Sequence, residues 1–296
     1  MTERIDVLKT YKLYIGGQFP RTESGRYYAI KDAKGKLLAN MCQSSRKDFR
    51  DAVVAARGAL SGWSGKSAFN RSQILYRMAE MLESRKNQLV DELLLQGSKT
   101  MDAVTEVSTA IDRLVYYAGW CDKYQQVFSA VNPVASPHFN FSVPEPTGVV
   151  AIVAPQQSAF IGLVSVIAPV IAGGNTCVVL ASESLPISAI SLAEIIHSSD
   201  VPGGVVNILT GKSNELLKYF AEHMDVNAIV FNQLSKAEVQ LVKEKASLNV
   251  KRVIEYNIKN WLDDTAGQSP YFILDTQEIK TIWHPIETVA AGKSGY

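Results

Sequence analysis

The sequence is poor in cysteine: Cys42, Cys121 and Cys177 are its only three, and none lies in a CxxC or CxxH spacing. That excludes a disulfide framework and a cysteine metal site, and it predicts free, reduced thiols. The four histidines, His138, His197, His223 and His284, are scattered without ligand spacing, so no metal is assigned to them. An excess of one charge is also absent. With 30 Lys+Arg against 29 Asp+Glu, the basic footprint needed to neutralise phosphates is missing, which argues against nucleic acid as a partner. No apolar run is long enough for a membrane span. The longest, Phe160 to Ala172, is interrupted by Gly162, Ser165 and Pro169 and falls short of the roughly 20 residues required. The opening MTERIDVLKTYKLYIGG is polar and charged, unlike a signal or transit peptide, so the expected compartment is the cytoplasm.

What is present suits a globular α/β protein. The chain has 296 residues, 47% of them hydrophobic, enough for a substantial core. YKLYIGGQFPRTESGRYYAI alternates apolar and polar residues around Gly16-Gly17 and Ser24-Gly25, predicting short strands and tight turns. From Ser45, the steps Phe49, Val53, Ala56 and Leu60 predict an amphipathic helix stopped by Gly62. Further helical runs are expected over 71–95 and 101–126. Four prolines between Val131 and Thr147 suit a loop and an exposed edge strand. GVVAIVAP, TCVVLASE, VVNILTG and NAIVFN then read as buried strands alternating with helical segments. Such alternation predicts a Rossmann-like doubly wound parallel sheet, with any ligand at the carboxyl ends of its strands. YFILDT and IKTIWHPI read as two closing strands.

LYIGGQF, YYAGWCDK, PTGVVAIVAP, IAPVIAGGNTCVVLASE, the PISA beginning at Pro186 and VPGGVVNILTG follow one another in an order and spacing that resembles the aldehyde dehydrogenase superfamily. The likeness runs from Tyr11 to Pro285. It implies N-terminal strands and helices over 1–130, an oligomerisation hairpin within 131–147, a cofactor-type core over 148–262, and a short tail with a terminal oligomerisation strand over 263–296. The cysteine-bearing catalytic domain that family members insert before that strand is absent. Its place lies between about Pro270 and Trp283.

The resemblance also implies chemical roles, which the residues meet unevenly. None of the cysteines stands where the family has its nucleophile, so no catalytic residue is assigned. Pro155-Gln156-Gln157 replaces the family's Pro-Trp-Asn, whose amide steadies the oxyanion. Lys-Pro-Ser-Glu becomes Leu180-Ala181-Ser182-Glu183, and Phe-Thr-Gly-Ser becomes Phe231-Asn232-Gln233-Leu234, so Gln233 stands where glycine admits the pyrophosphate. Glu183, Ser182, Gly211 and Ser235 are left as cofactor-binding candidates, for weak NAD(P) binding or none. Glu255 is the nearest candidate for a catalytic base, and a solvated surface charge is its plainer reading.

The expectation is accordingly a pseudoenzyme, not an enzyme, that acts as a structural or regulatory partner by self-association or by binding a full-length aldehyde dehydrogenase. Two alternatives stay open: a residual or composite NAD(P)-dependent aldehyde oxidoreductase, and a nucleotide-binding sensor.

Overall fold

The computed structural model describes residues 9–286. β1 (Tyr27–Lys31) pairs antiparallel with β2 (Leu37–Cys42), which places Cys42 at a strand end. Helix α1 (Arg46–Ser64) begins with a capping box: the Ser45 hydroxyl accepts the N–H of Asp48, and the Asp48 carboxylate accepts that of Ser45. The helix passes through Gly62 and ends at Gly65. The interior glycine costs only about 1 kcal/mol, and Trp63, fully buried, donates its indole N–H to the Ile171 carbonyl and holds the last turn.

The run expected over 71–95 divides at Arg85 into α2 (Ala68–Ser84) and α3 (Lys86–Leu95). The next run divides at residues 119–123 into α4 (Thr100–Ala118) and α5 (Tyr124–Phe128). Hydrophobic spacing carries across such short breaks, so the pattern alone does not reveal them.

After β3 (Ala130–Asn132) and β4 (His138–Pro146) come β5 (Val149–Val153), α6 (Ala159–Ala172), β6 (Thr176–Leu180), α7 (Ile187–His197), β7 (Val206–Leu209), α8 (Ser213–Glu222), β8 (Ala228–Asn232), α9 (Lys236–Ser247) and β9 (Arg252–Tyr256). The five strands of this core are all parallel, in the order β7-β6-β5-β8-β9, so the winding reverses between β5 and β8. Side chains alternate between two cores. Val150, Ile152, Cys177 and Val179 pack with residues of α2, α4, α6 and α7, whereas Val149, Ala151, Val178 and Leu180 pack with residues of α1, α8 and α9. Cover on both faces explains why β5 through β8 read as continuous apolar runs. The doubly wound, Rossmann-like class is therefore the observed one.

The chain then makes α10 (Asp264–Gly267), α11 (Tyr271–Leu274) and β10 (Gln277–Pro285). The strand expected at YFILDT is thus a helical turn. It starts after Pro270, whose fixed φ suits a helix start, and four residues are too few for periodicity to separate the two states. β10 pairs antiparallel with the whole of β4, giving a second sheet in the order β10-β4-β3. β4 is consequently the middle strand and not an edge. Its prolines are tolerated because β3 reaches only Asn140–Ser142, leaving the strand locally unpaired on that side at Pro144 and Pro146.

Two buried polar anchors fix the route between the sheets. The Asn175 side chain accepts the Gly148 N–H at 2.9 Å and donates to the Thr276 carbonyl at 2.9 Å. Arg113, wholly buried on α4, donates to Ser165 Oγ at 2.8 Å, the Trp261 carbonyl at 3.1 Å, Asp264 Oδ1 at 3.2 Å and the Gly267 carbonyl. Among the described residues, no helix is long and apolar enough to cross a membrane.

Candidate functional site

The carboxyl ends of β5 through β8 form the edge at which an open α/β sheet holds ligands. The cofactor candidates gather there, each engaged within the chain. Ser182, buried after β6, donates its hydroxyl to the Gln156 carbonyl at 3.3 Å and accepts the Leu185 N–H at 3.2 Å. The Glu183 carboxylate pairs with Lys212 Nζ at 2.7 Å and accepts the N–H of Ser213, the first residue of α8, at 3.2 Å. Gly211 serves packing: a Cβ there would lie 3.2 Å from the Ser44 nitrogen and 3.2 Å from Leu216 Cδ1. Ser235 caps α9, accepting the Glu238 N–H at 3.3 Å while donating its own hydroxyl to Glu238 Oε2 at 2.7 Å.

At the reversal point itself, Gln156, Gln157, Asn232, Gln233, Lys259 and Trp261 line a crevice of about 140 Å³. Pockets for drug-sized ligands run to roughly 300–1,000 Å³. Gln233 holds a left-handed φ of 52°, a conformation suited to glycine. The Asn232 side chain bonds both the N–H and the carbonyl of Ile258, drawing the segment after β9 over the crevice. Gln156 spends its amide on Ala154 and on the Glu183 N–H.

A dinucleotide on a Rossmann-type sheet lays its pyrophosphate on a helix N-terminus approached across a glycine turn. The resemblance places that turn after β8, where this chain carries Gln233, with Glu238 in the first turn of the helix that follows. The residues present do not fit the group in that mode.

Nothing at this edge supplies an accessible thiolate. All three cysteines are buried; burial pushes the Cys121 thiol up to about 12 and that of Cys177 higher still. Glu255 pairs with Lys243 at 3.0 Å on the surface. No cluster of metal-ligating side chains exists among the described residues.

Three groups escaped the sequence reading. Lys212 meets Glu183, and Glu238 closes α9; the latter was legible as a Ser-x-x-Glu capping box at Ser235. Glu106 of α4 is buried, and its Oε1 accepts the N–H groups of Phe160 and Ile161 at 3.0 and 3.1 Å, at the start of α6. No local signal marks it. Desolvation raises its pKa against the opposing pull of those hydrogen bonds. A carboxyl whose folded pKa is raised adds stability below its unfolded pKa and loses it as pH rises through the folded value. Chemical denaturation of wild type and Glu106→Gln at about pH 4.5 and 7 should therefore show wild type gaining relative stability at the lower pH; a pH-independent difference contradicts this.

Residues 19–295 match the aldehyde dehydrogenase family. The chain belongs to that family. It is 31% identical over 258 residues to the cytosolic 10-formyltetrahydrofolate dehydrogenase of Mus musculus, a match covering 85% of this chain and 28% of that protein. It is 30% identical over 282 residues to the human mitochondrial 10-formyltetrahydrofolate dehydrogenase, covering 93% and 30%. Among solved structures it resembles an aldehyde dehydrogenase C mutant of Pseudomonas syringae complexed with NAD+ and octanal, with a TM-score of 0.78, 29% identity, and coverage of 86% of this chain and 52% of that one. The chain thus spans less than a third of those two relatives and about half of that structure.

These matches correct the expectation that the chain is not an enzyme. The proteins it matches are dehydrogenases, and the class that comes with the family is oxidoreductase. That expectation rested on missing reactive groups within this stretch. Chemistry in such a family is assembled from several regions, and a stretch of half the length or less does not decide it.

Proposed function

We propose that this chain is the scaffold and docking part of an aldehyde oxidoreductase assembly, in which a full-length aldehyde dehydrogenase supplies the nucleophile. The observation that carries the reading is the β10-β4-β3 sheet. β10 offers an edge nine residues long with no strand on its outer side among the described residues. Val131 and Phe139 are 68% and 48% exposed, and the register puts them on one face together with Phe141 and Ile282. Phe139 and Phe141 touch, and His284 stacks on Phe141, so the patch is continuous. A long free edge with an apolar face is an invitation to pairing that proteins ordinarily blunt. Strand addition there would order the partner through main-chain hydrogen bonds, with the aromatic face providing affinity. Three free cysteines suit action in the cytoplasm.

Sedimentation velocity tests the proposal. The chain, 32.5 kDa as a monomer, should co-sediment with a full-length aldehyde dehydrogenase in a larger species. A homo-oligomer that excludes the enzyme would replace the named partner with a second copy. A monomer both alone and in the mixture would sink the reading.

A further inference from the structure

The helices that follow β5, β6, β7 and β8 all start at the carboxyl edge of the sheet. Free N–H groups and the positive end of a helix dipole ordinarily make such starts anion sites. In this chain each of the four already has at least one N–H of its first turn, or for α9 the N–H of its capping residue, taken by a side chain. Glu106 takes two N–H groups of α6, Gln96 takes the Ile187 N–H of α7 at 3.1 Å, Glu183 takes the Ser213 N–H of α8, and Glu238 takes the Ser235 N–H of α9 at 2.9 Å. Three of these four groups are glutamates. At three of the four crossovers the arrangement offers an incoming phosphate negative charge where a binding site offers donors.

We infer that the carboxyl edge of this sheet is sealed against dinucleotides by its own side chains, with Glu238 and Gln233 as the decisive pair. A pyrophosphate reaching α9 has to displace the Glu238 carboxylate from Ser235 and then lie beside it. Like charges in contact are repulsive. Gln233 adds a steric barrier, because the left-handed turn that would let backbone approach a phosphate carries a side chain. The Lys212–Glu183 pair is a further barrier: a ribose hydroxyl, which Rossmann-type sheets hold on an acidic side chain, would have to compete for that carboxylate with an ammonium group at 2.7 Å. The inference stands apart from the docking proposal, and either can fail without the other.

Calorimetric titration with NAD+, NADH and NADPH tests it on the intact chain. Wild type should show no saturable heat at about 1 mM ligand, the weak end of specific affinity. Glu238→Gln keeps a capping box, which glutamine also serves, and removes the charge. Combined with Gln233→Gly it should tighten binding by at least roughly tenfold, bringing it into the measurable range. Saturation of wild type well below about 1 mM would overturn the inference. So would a double variant that unfolds cooperatively yet binds no better than wild type. Should the double variant not fold, Glu238→Gln alone carries the test, and unchanged binding counts against the seal.

Discussion

Replacement of Arg113 by methionine should lower the unfolding free energy by roughly 2–6 kcal/mol, because two buried carbonyls lose their donor at about 1–3 kcal/mol each. The guanidinium is fully buried, and desolvation pulls its pKa down. It persists as a cation because it serves four acceptors: Ser165, Asp264 and the carbonyls of Trp261 and Gly267. Asp264 is largely solvated, with 70% of its side chain exposed, so the ion pair contributes little. The larger loss comes from the two carbonyls, each left without a donor, and from the segment they belong to. That segment links β9 to β10 and carries Trp261, itself 2% exposed. Urea denaturation gives the magnitude, and native-state hydrogen exchange should show residues 257–276 losing protection first. A loss under about 1 kcal/mol would mean that the network does not hold the connection.

The second large effect concerns association. Val131 and Phe139 lie on the same face of the second sheet and are exposed in the monomer, so replacing both with lysine leaves folding nearly unchanged, within about 0.5 kcal/mol. In an assembly that covers this face, two ammonium groups would enter an apolar contact, and interfacial aromatics commonly contribute 2 kcal/mol or more. The double variant should weaken association by about a hundredfold, close to 3 kcal/mol. Sedimentation at matched concentrations reads the difference. Equal association of variant and wild type would move the interface elsewhere.

How far these features were legible depends on whether their causes are local. The parallel core could be read because β5 through β8 are covered on both faces and so appear as compact β-branched runs. The start of α1 was announced by Ser45. Arg113 gave no sign, since a basic residue on an amphipathic helix reads as solvated face until α6 and the segment after β9 close over it. The seal at the carboxyl edge was half visible. Gln233 stood out against a glycine in the resembling family, but Glu106 and Gln96 act on amides 54 and 91 residues away, and pairings over that distance leave no pattern. Strands at β4 and β10 were read from the residues, but not their pairing, because the prolines marked β4 as an edge and its partner lies far along the chain. The reading of a chain without enzymatic class failed because it generalised from one region to the whole protein.

If the outer edge of β10 is the interface proposed above, hydrogen exchange at that edge reads it. The β10 amides that do not bond to β4 have no strand partner among the described residues and should exchange without protection in the isolated chain. In the assembly with a full-length aldehyde dehydrogenase they should become protected, and the Val131→Lys/Phe139→Lys variant should abolish that protection under the same conditions. Unprotected exchange at these amides in a mixture whose sedimentation shows a stable complex would contradict the account.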